Sequence, residues 1–555
     1  MFFILLFVYT MFLSLCIYAD QEGELIAQVK AIPYTTQELM ELDAAYIQED
    51  QGMHIIHHGI MQRNFAIDNE DTSYVHPLPK LFPPQHVAIN TLATTLAETR
   101  SFPPDTMGDV GPTQFIVACN GRVKTLSKTN GLPDGVLNID LGVFFNAVRG
   151  GIQVSDPRIR YDKMTNRWFI ICITVAYPNR ILLAMSSSGT ITPSMPWRFF
   201  FFDQSSFGFN TCLADYPTLG IDKNGLYIGV NQFCLSSTTS APTFDNVHIE
   251  GQEEEQKASL VFVGSSGYVI PKASLVNNNV MRVFLFRNLI NNIGQGPYSP
   301  QGVDNVDLNP PFGYFIGVNA ISLSQLALVY IADVTTTPRI ATTRLINIPQ
   351  TQLPITVPHK GNNLGPAGYL DGLDDRLLYA HIRNNHLWTS HNIGVNNMGT
   401  SSGTITRDAC RWYDIDLTQP TIPIVRQAGT VFTPSATNDF NQRHYWMGTL
   451  IPTGQGHMVL GCSAAGTNEF INAAFTTHLN TDPASSTRTP LLYTNSTTAY
   501  NPSSDPGGSG GRRWGDYSAV RLDPVDDTTV WMVQEYCDST NSYGVRLAKI
   551  LAPSP

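Results

Sequence analysis

Short runs in which apolar and polar positions alternate recur along most of the 555 residues, each closed by a turn rich in Asp, Asn, Gly or Pro. Alternation with a period of two marks a half-buried strand, and two such runs across a turn form a hairpin. The stretch "DYSAVRLDPVDDTTVWMVQEY" at 516–536 has this form: an Asp-Tyr pair, an alternating run, an acidic turn and a second apolar run. "DPRIRYDKMTNRWFIICI" at 156–173 and "DYPTLGIDKNGLYIGVNQF" at 215–233 repeat it. Further starts occur at "TQFIVACNGRVKTL" from 113, "FGYFIGVNAI" from 312, "DDRLLYAHI" from 374 and "HYWMGTLIP" from 444. Their spacing is on the order of 65 residues, the length of one four-stranded antiparallel sheet with its loops. Such a sheet alone leaves both faces uncovered, so like units must stack on one another. Radial stacking predicts an all-β fold, a single large β-propeller over residues 101–555. Seven blades is the favoured count, with six or eight as its neighbours and a stacked pair of sandwiches as the competing arrangement. The wide interval between 215 and 312 holds an insertion, including the acidic run "EGQEEEQK", which reads as a solvated loop.

Residues 20–100 have a different texture. "TTQELMELDAAYIQED" begins on Thr, carries acidic residues in its first turn and has helical apolar spacing, so it predicts a short helix. "HPLPKLFPPQ" and "SFPPD" then read as an extended, Pro-rich linker. This extension suits a pro-region, a spacer or a strap lying across the main domain. Ahead of it, "MFFILLFVYTMFLSLCIYA" is an uncharged apolar run over 1–19. It is expected to be a signal peptide cleaved after Ala19, giving a secreted or periplasmic protein; an uncleaved membrane anchor is the alternative.

Composition narrows the partners. Apolar residues make up 43% of the chain and charged residues only 14%, with a net charge of -11. No basic stripe is present, which argues against nucleic acid, and no membrane contact is expected once the signal is removed. In an oxidising compartment the seven cysteines besides Cys16 become candidates for disulfides. Cys212 and Cys234 bracket one complete hairpin and are the pair expected to join.

The motifs "PPDTMGDVGPTQFIVACN" at 103–120, "SDPRIRYDKMTNRWF" at 155–169, "DYPTLGIDKNGLYIGVNQF" and "RWGDYSAVRLDPVDDTTVWMVQEY" together resemble a family of exported bacterial proteins. That family is expected to form propellers similar in fold to exo-sialidases. The resemblance covers the start, middle and end of 101–555 and implies a fold and export. It supplies no activity and no catalytic residues. One departure is visible: family members often carry a cysteine and a Phe-Trp pair where this chain reads "DDTTVW", so a disulfide anchoring that blade is not expected.

The candidate chemistry is thin. Asp156, Asp215 and Asp516 each precede a strand and, in a propeller, would ring the channel mouth as ligands for sugar hydroxyls or a cation. Asp in such places more often shapes a turn through loop N–H groups. Arg512, Arg513 and Trp514 lie in a Gly-rich loop leading to a strand, where binding loops usually crowd. These six residues form the expected binding face for a protein or glycan. Arg158, Arg376 and Arg521, with Glu535 and Tyr536, are the set that a sialidase-like hydrolase would draw on. "GTSSG" at 399–403 and "GGSGG" at 507–511 match a nucleophile pattern but have no helix after them, so they read as loops. His54, His57 and His58 lack a third metal ligand of suitable spacing. His381 and His391 fall on one strand face and His386 on the other, against a shared metal. "DGLDD" and "DPVDD" read as acidic turns, and Trp197, Trp412 and Trp446 as packing residues. The expectation is a binding or scaffold protein without catalysis, metal or cofactor, with a sialidase-like glycoside hydrolase as the alternative.

Overall fold

The computed structural model describes residues 21–46, 85–235 and 260–551, apart from 420–421, 436, 438–439, 506 and 508–509, together with 54–55, 63 and 65. The apolar run 1–19, the acidic run at 250–257 and His57 and His58 lie outside them. Seven antiparallel sheets stand around one axis. Their inner strands follow in chain order: Met107–Val110 in blade 1, Val154–Asp162 in blade 2, Cys212–Asp215 with Gly220–Ile221 in blade 3, and Pro297–Gly302 in blade 4. Leu377–Arg383, His444–Pro452 and Ala519–Leu522 serve blades 5, 6 and 7. The inner strand of blade 7 packs beside that of blade 1, which closes the ring.

The middle strands explain why the sheets must stack. "RWFIICIT" and "RILLAMS" in blade 2, or "MVLGCSAAG" in blade 6, are buried along nearly their whole length. Strands covered on both faces read as continuous apolar runs. Each sheet thus contributes half of two interblade cores. Blade 2, for example, sends Phe169, Ile171 and Leu183 to the core shared with Leu226, Ile228 and Ile270 of blade 3.

The first residues described are not a separate domain. Gln21–Glu22, Glu24–Lys30 and Ile32–Thr35 add outer strands to blades 4, 3 and 2 in turn. The helix Thr36–Tyr46 then packs beside the outer strand of blade 1, Pro133–Ile139. Its start is a capping box: Glu38 accepts from the Thr35 amide at 2.7 Å, and the Glu38 amide donates to the Thr35 hydroxyl at 3.2 Å. Val87–Thr95 forms the outer strand of blade 7, paired with Ser542–Ile550. The propeller therefore takes strands from the segment before residue 101, and one of them ties the two ends of the ring together.

Two of the seven sequence starts fall one strand late. "TQFIVACN" and "FGYFIGVN" are the second strands of blades 1 and 4, because the true inner strands "MGDV" and "PYSPQG" carry Gly, Pro and Ser where alternation would show. Cys212 and Cys234 are disulfide-bonded and directly opposed in register, joining the first two strands of blade 3. The other five described cysteines are buried free thiols. No helix among the described residues is long and apolar enough to cross a membrane.

Candidate functional site

The inner strands run the same way along the axis, so their starts share one end of the channel and their ends share the other. At the end side, all seven blades contribute to the wall of a cavity of about 360 Å³. Asp109, Arg160, Asp222, Asp304, Tyr379, His381, Ile451 and Arg521 stand in it, with Arg383 and Asp527 at its edge. The local cause is visible in blade 5, where Tyr379, His381 and Arg383 alternate with Ala380 and Ile382 and so share one strand face. Asp304 reaches the same place because the chain leaving blade 4 pairs in parallel with blade 5, Asp304 opposite His381. Gly220 and Gly302 let the inner strands of blades 3 and 4 meet just behind it: a Cβ on Gly220 would stand 2.2 Å from the Gly302 carbonyl carbon.

Most carboxylates of the cavity are already engaged. Asp304 accepts from the Ile221 amide at 2.9 Å and from the Tyr379 hydroxyl, and pairs with Arg160 Nε at 2.7 Å. Asp222 takes two backbone amides and the Tyr227 hydroxyl, Asp162 is bound by Lys272, and Asp523 by Lys128. Arg383 holds Asp527 through two parallel bonds of 2.8 and 2.7 Å. Asp109 accepts from the amides of Val110 and Tyr161, and its nearest cation, Arg521, is 3.8 Å away. Burial pushes the Asp109 carboxyl up to about 6, against the pull of Arg521, the Tyr161 amide and Arg160.

The atoms left over are of a different kind. Buried Nε of Arg521, Nε of Arg383 and Nε2 of His381 have no hydrogen-bond partner among the described residues. The Arg521 guanidinium lies 4.3 Å from the Tyr379 ring centre, with that of Arg160 at 5.1 Å from the same ring. Burial, with Arg383, Arg521 and Arg160 nearby, holds His381 well below its usual range, so it is neutral. Since Tyr379 gives its proton to Asp304, the loose 3.4 Å contact between Tyr379 and His381 Nδ1 places the imidazole proton on Nδ1. Nε2 then remains as an acceptor. The site offers arginine donors, one imidazole acceptor and an aromatic wall.

The residues expected from the sequence to form a binding face lie at the opposite end. Asp156, Trp514 and Asp516 are fully buried, and Arg512 and Asp215 nearly so. Arg513 and Asp516 come together at 3.1 Å, and Arg513 also binds Asp371 at 3.0 Å. Arg512 turns to the Pro502 and Asp505 carbonyls, while Trp514 donates to Ser463 and packs on Trp446 and Tyr500. Asp156 has φ of 60° at a register shift in the inner strand and accepts from Tyr517 at 2.6 Å. Such a bulge is a place where Asp is tolerated in the left-handed region. Asp215 ends the first strand of blade 3 opposite Asn231.

Of the arginines set aside for hydrolase chemistry, only Arg521 reaches the cavity. Arg158 and Arg376 both lie against Tyr216, 5.0 and 4.2 Å from its ring centre. Glu535 is buried and accepts from the Gly515 amide at 2.8 Å. His381 and His391 are on separate strands, not one, because the chain turns at Asn384 and Asn385, both with positive φ. Arg160, Asp109, Asp304 and Tyr379 were not singled out from the sequence. For Arg160 and Tyr379 the signal is polar residues two apart within an otherwise buried inner strand; Asp109 and Asp304 carry no such pattern.

No family model matches the chain, and no curated protein matches it. Similar solved structures include a protein of unknown function from Dyadobacter fermentans, at 7% identity over 85% of this chain and 100% of that one, with a TM-score of 0.36. A Trypanosoma rangeli sialidase in complex with 2,3-difluorosialic acid matches at 10% identity over 78% of this chain and 56% of its own, with a TM-score of 0.33. Drosophila semaphorin 1b, extracellular domains 1–2, matches at 6% identity over 84% and 87%, also with a TM-score of 0.33.

Proposed function

We propose that the protein is a binding protein whose cavity at the end of the propeller axis takes an acidic, hydroxyl-bearing ligand such as an acidic sugar of a glycan. The observation that carries this reading is the imbalance of leftover atoms. The carboxylates of the wall are largely satisfied from within, whereas arginine N–H groups and one neutral imidazole nitrogen are not. Buried donors without partners favour a ligand that brings acceptors, and a guanidinium favours a carboxylate. His381 Nε2 would accept from a ligand hydroxyl, and the Tyr379 ring would cover an apolar sugar face.

The Cys212–Cys234 disulfide supports an oxidising compartment, and with it export directed by residues 1–19. A second reading, glycoside hydrolysis, is favoured by the raised Asp109 carboxyl beside Arg521, since an acid poised near neutral pH can donate a proton. Against it, Asp304 is already neutralised by Arg160.

Binding of the purified protein to a glycan array and by calorimetry separates the two, with a fluorogenic glycoside panel beside it. Acidic glycans should bind, neutral ones should not, and Arg521→Gln should weaken binding at least tenfold without release of fluorophore from any glycoside. Equal affinity for neutral glycans, or indifference to Arg521→Gln, would defeat the proposal. Turnover abolished by Asp109→Asn would establish the hydrolase instead.

A further inference from the structure

The other end of the channel is filled by a layer in which guanidinium groups and aromatic rings alternate. Arg158 lies 3.5 Å from the Tyr517 ring centre, the Tyr517 and Tyr216 rings are 4.8 Å apart, and Arg376 follows on Tyr216. Arg376 binds both oxygens of Asp374 at 2.7 Å and continues to Tyr298, whose hydroxyl donates to Asp374 at 2.8 Å. Blades 2, 7, 3, 5 and 4 supply these groups. The last cation of the series comes from none of them. Arg63 belongs to the extension, lies between the rings of Tyr298 and Phe65 at 4.6 and 4.8 Å, and pairs with Asp375. Its side chain is 2% exposed and that of Asp375 is 1% exposed.

Asp375 is the reason to read this as a site. Its neighbour Asp374 is neutralised by Arg376, but the only ion pair or hydrogen bond to the Asp375 carboxylate among the described residues is that of Arg63. Its backbone carbonyl accepts from His391 at 2.8 Å and fixes its place at the strand start. The inner strands are complete without Arg63. Around Arg63 they place a buried carboxylate and the flat Tyr298 ring. That pair suits a planar, weakly hydrated cation that stacks and donates at once, and suits an ammonium poorly.

We infer that this mouth of the channel is a receptor for a guanidinium group, held in this chain by its own Arg63. It lies six residues along the blade 5 strand from His381, roughly 20 Å at extended spacing, and does not depend on what the cavity binds. Arg63 thereby occupies this place itself, and an arginine from another chain would have to displace it.

The test uses the full chain and arginine amide as the probe, with lysine amide as the comparison. Arg63→Ala should melt at a lower temperature than the parent. Millimolar arginine amide should raise that temperature and bind by calorimetry, with lysine amide at least tenfold weaker and neither binding the parent. Arg63→Ala with Asp375→Asn should lose the response. Arg63→Lys serves if the alanine variant does not fold, and it too should be stabilised by arginine amide. Absence of binding to the Arg63 variants, equal binding of both amides, or equal binding by the parent would overturn the inference.

Discussion

The two ends of the channel are made from the same seven strands and solve the burial of charge in opposite ways. At the starts, four guanidinium groups meet a ring or a carboxylate, Arg158 on Tyr517, Arg376 on Asp374, Arg513 between Asp371 and Asp516, and Arg63 on Asp375, while Arg512 turns to backbone carbonyls. At the ends, arginines remain with buried donors unspent around open space. The first arrangement holds the blades in register; the second leaves interaction capacity for something else. Charge density alone does not distinguish them. What does is open space: the closed end is packed, although Arg158 Nη2, Arg376 Nη1 and Arg513 Nε also lack partners among the described residues there, whereas the other end holds a cavity.

The largest expected effect comes from damaging the closed end. Arg513→Ala strips the cation shared by two carboxylates that lie almost wholly inside the protein. Removing one member of a buried pair generally costs about 3–5 kcal/mol. Urea denaturation should show that loss, whereas Arg521→Gln, at the open end, should cost far less because its closest carboxylate is 3.8 Å away. Comparable losses for the two would erase the distinction between the ends.

Next in size is the disulfide, which clips the start of the blade 3 inner strand to its neighbour across 22 residues. Replacing both Cys212 and Cys234 by Ser should cost about 3 kcal/mol by the loop-entropy account, and added reductant should then change the melting temperature of the parent but not of the variant. The five remaining described thiols are buried, and burial pushes Cys119 and Cys537 up to about 12, so they should stay unmodified in the folded state.

Much of the ring was legible because its physics is local. An Asp-led hairpin announces a strand pair wherever it occurs, and five of the seven starts were inner strands. Blades 1 and 4 were misplaced by one strand because Gly, Pro and Ser at a close approach carry no alternation. The outer strands from residues 21–35 and 87–95 were not legible, since "ELIAQVK" pairs with a strand some 250 residues away and nothing local names that partner. The same limit hid the cavity. Arg521 was visible as an arginine at a strand end, but Asp109, Arg160, Asp304 and Tyr379 gain their meaning only when blades 1, 2, 4, 5 and 7 meet. The loop of Arg512, Arg513 and Trp514 attracted notice by composition, yet those side chains turn inward, where a tryptophan and two arginines have more to bind than at the rim.

The smallest effect tests the open end alone, through pH. Asp109 has a folded value of about 6 against an ordinary carboxyl value of 3.8, raised first by burial and lowered in part by Arg521 and the Tyr161 amide. Because the folded value is the higher one, the stability this group contributes is complete below about pH 4 and is lost as pH rises through 6. Asp222 is raised to about 6 for the same leading reason, burial, so the stability profile reports both groups and Asp109→Asn should remove only part of the slope. Ligand affinity is the sharper reading. An acidic ligand approaching Arg521 meets a neutral Asp109 at pH 5 and an ionised one at pH 7.5, a like-charge contact worth about 1 kcal/mol at a partly screened wall, or roughly fivefold in Kd. Binding measured across that range should therefore weaken as pH rises, and Asp109→Asn should remove the part of the slope that arises beside Arg521 and leave the part due to Asp222. Arg160 and Arg521 keep their charge throughout, and the Tyr379 hydroxyl is pushed upward by burial and Asp304, which leaves Asp222 as the other cavity carboxyl raised into that range. An affinity that is flat in the parent, or a slope that Asp109→Asn leaves undiminished, would place the ligand away from Arg521 and remove the open end's claim to be the binding site.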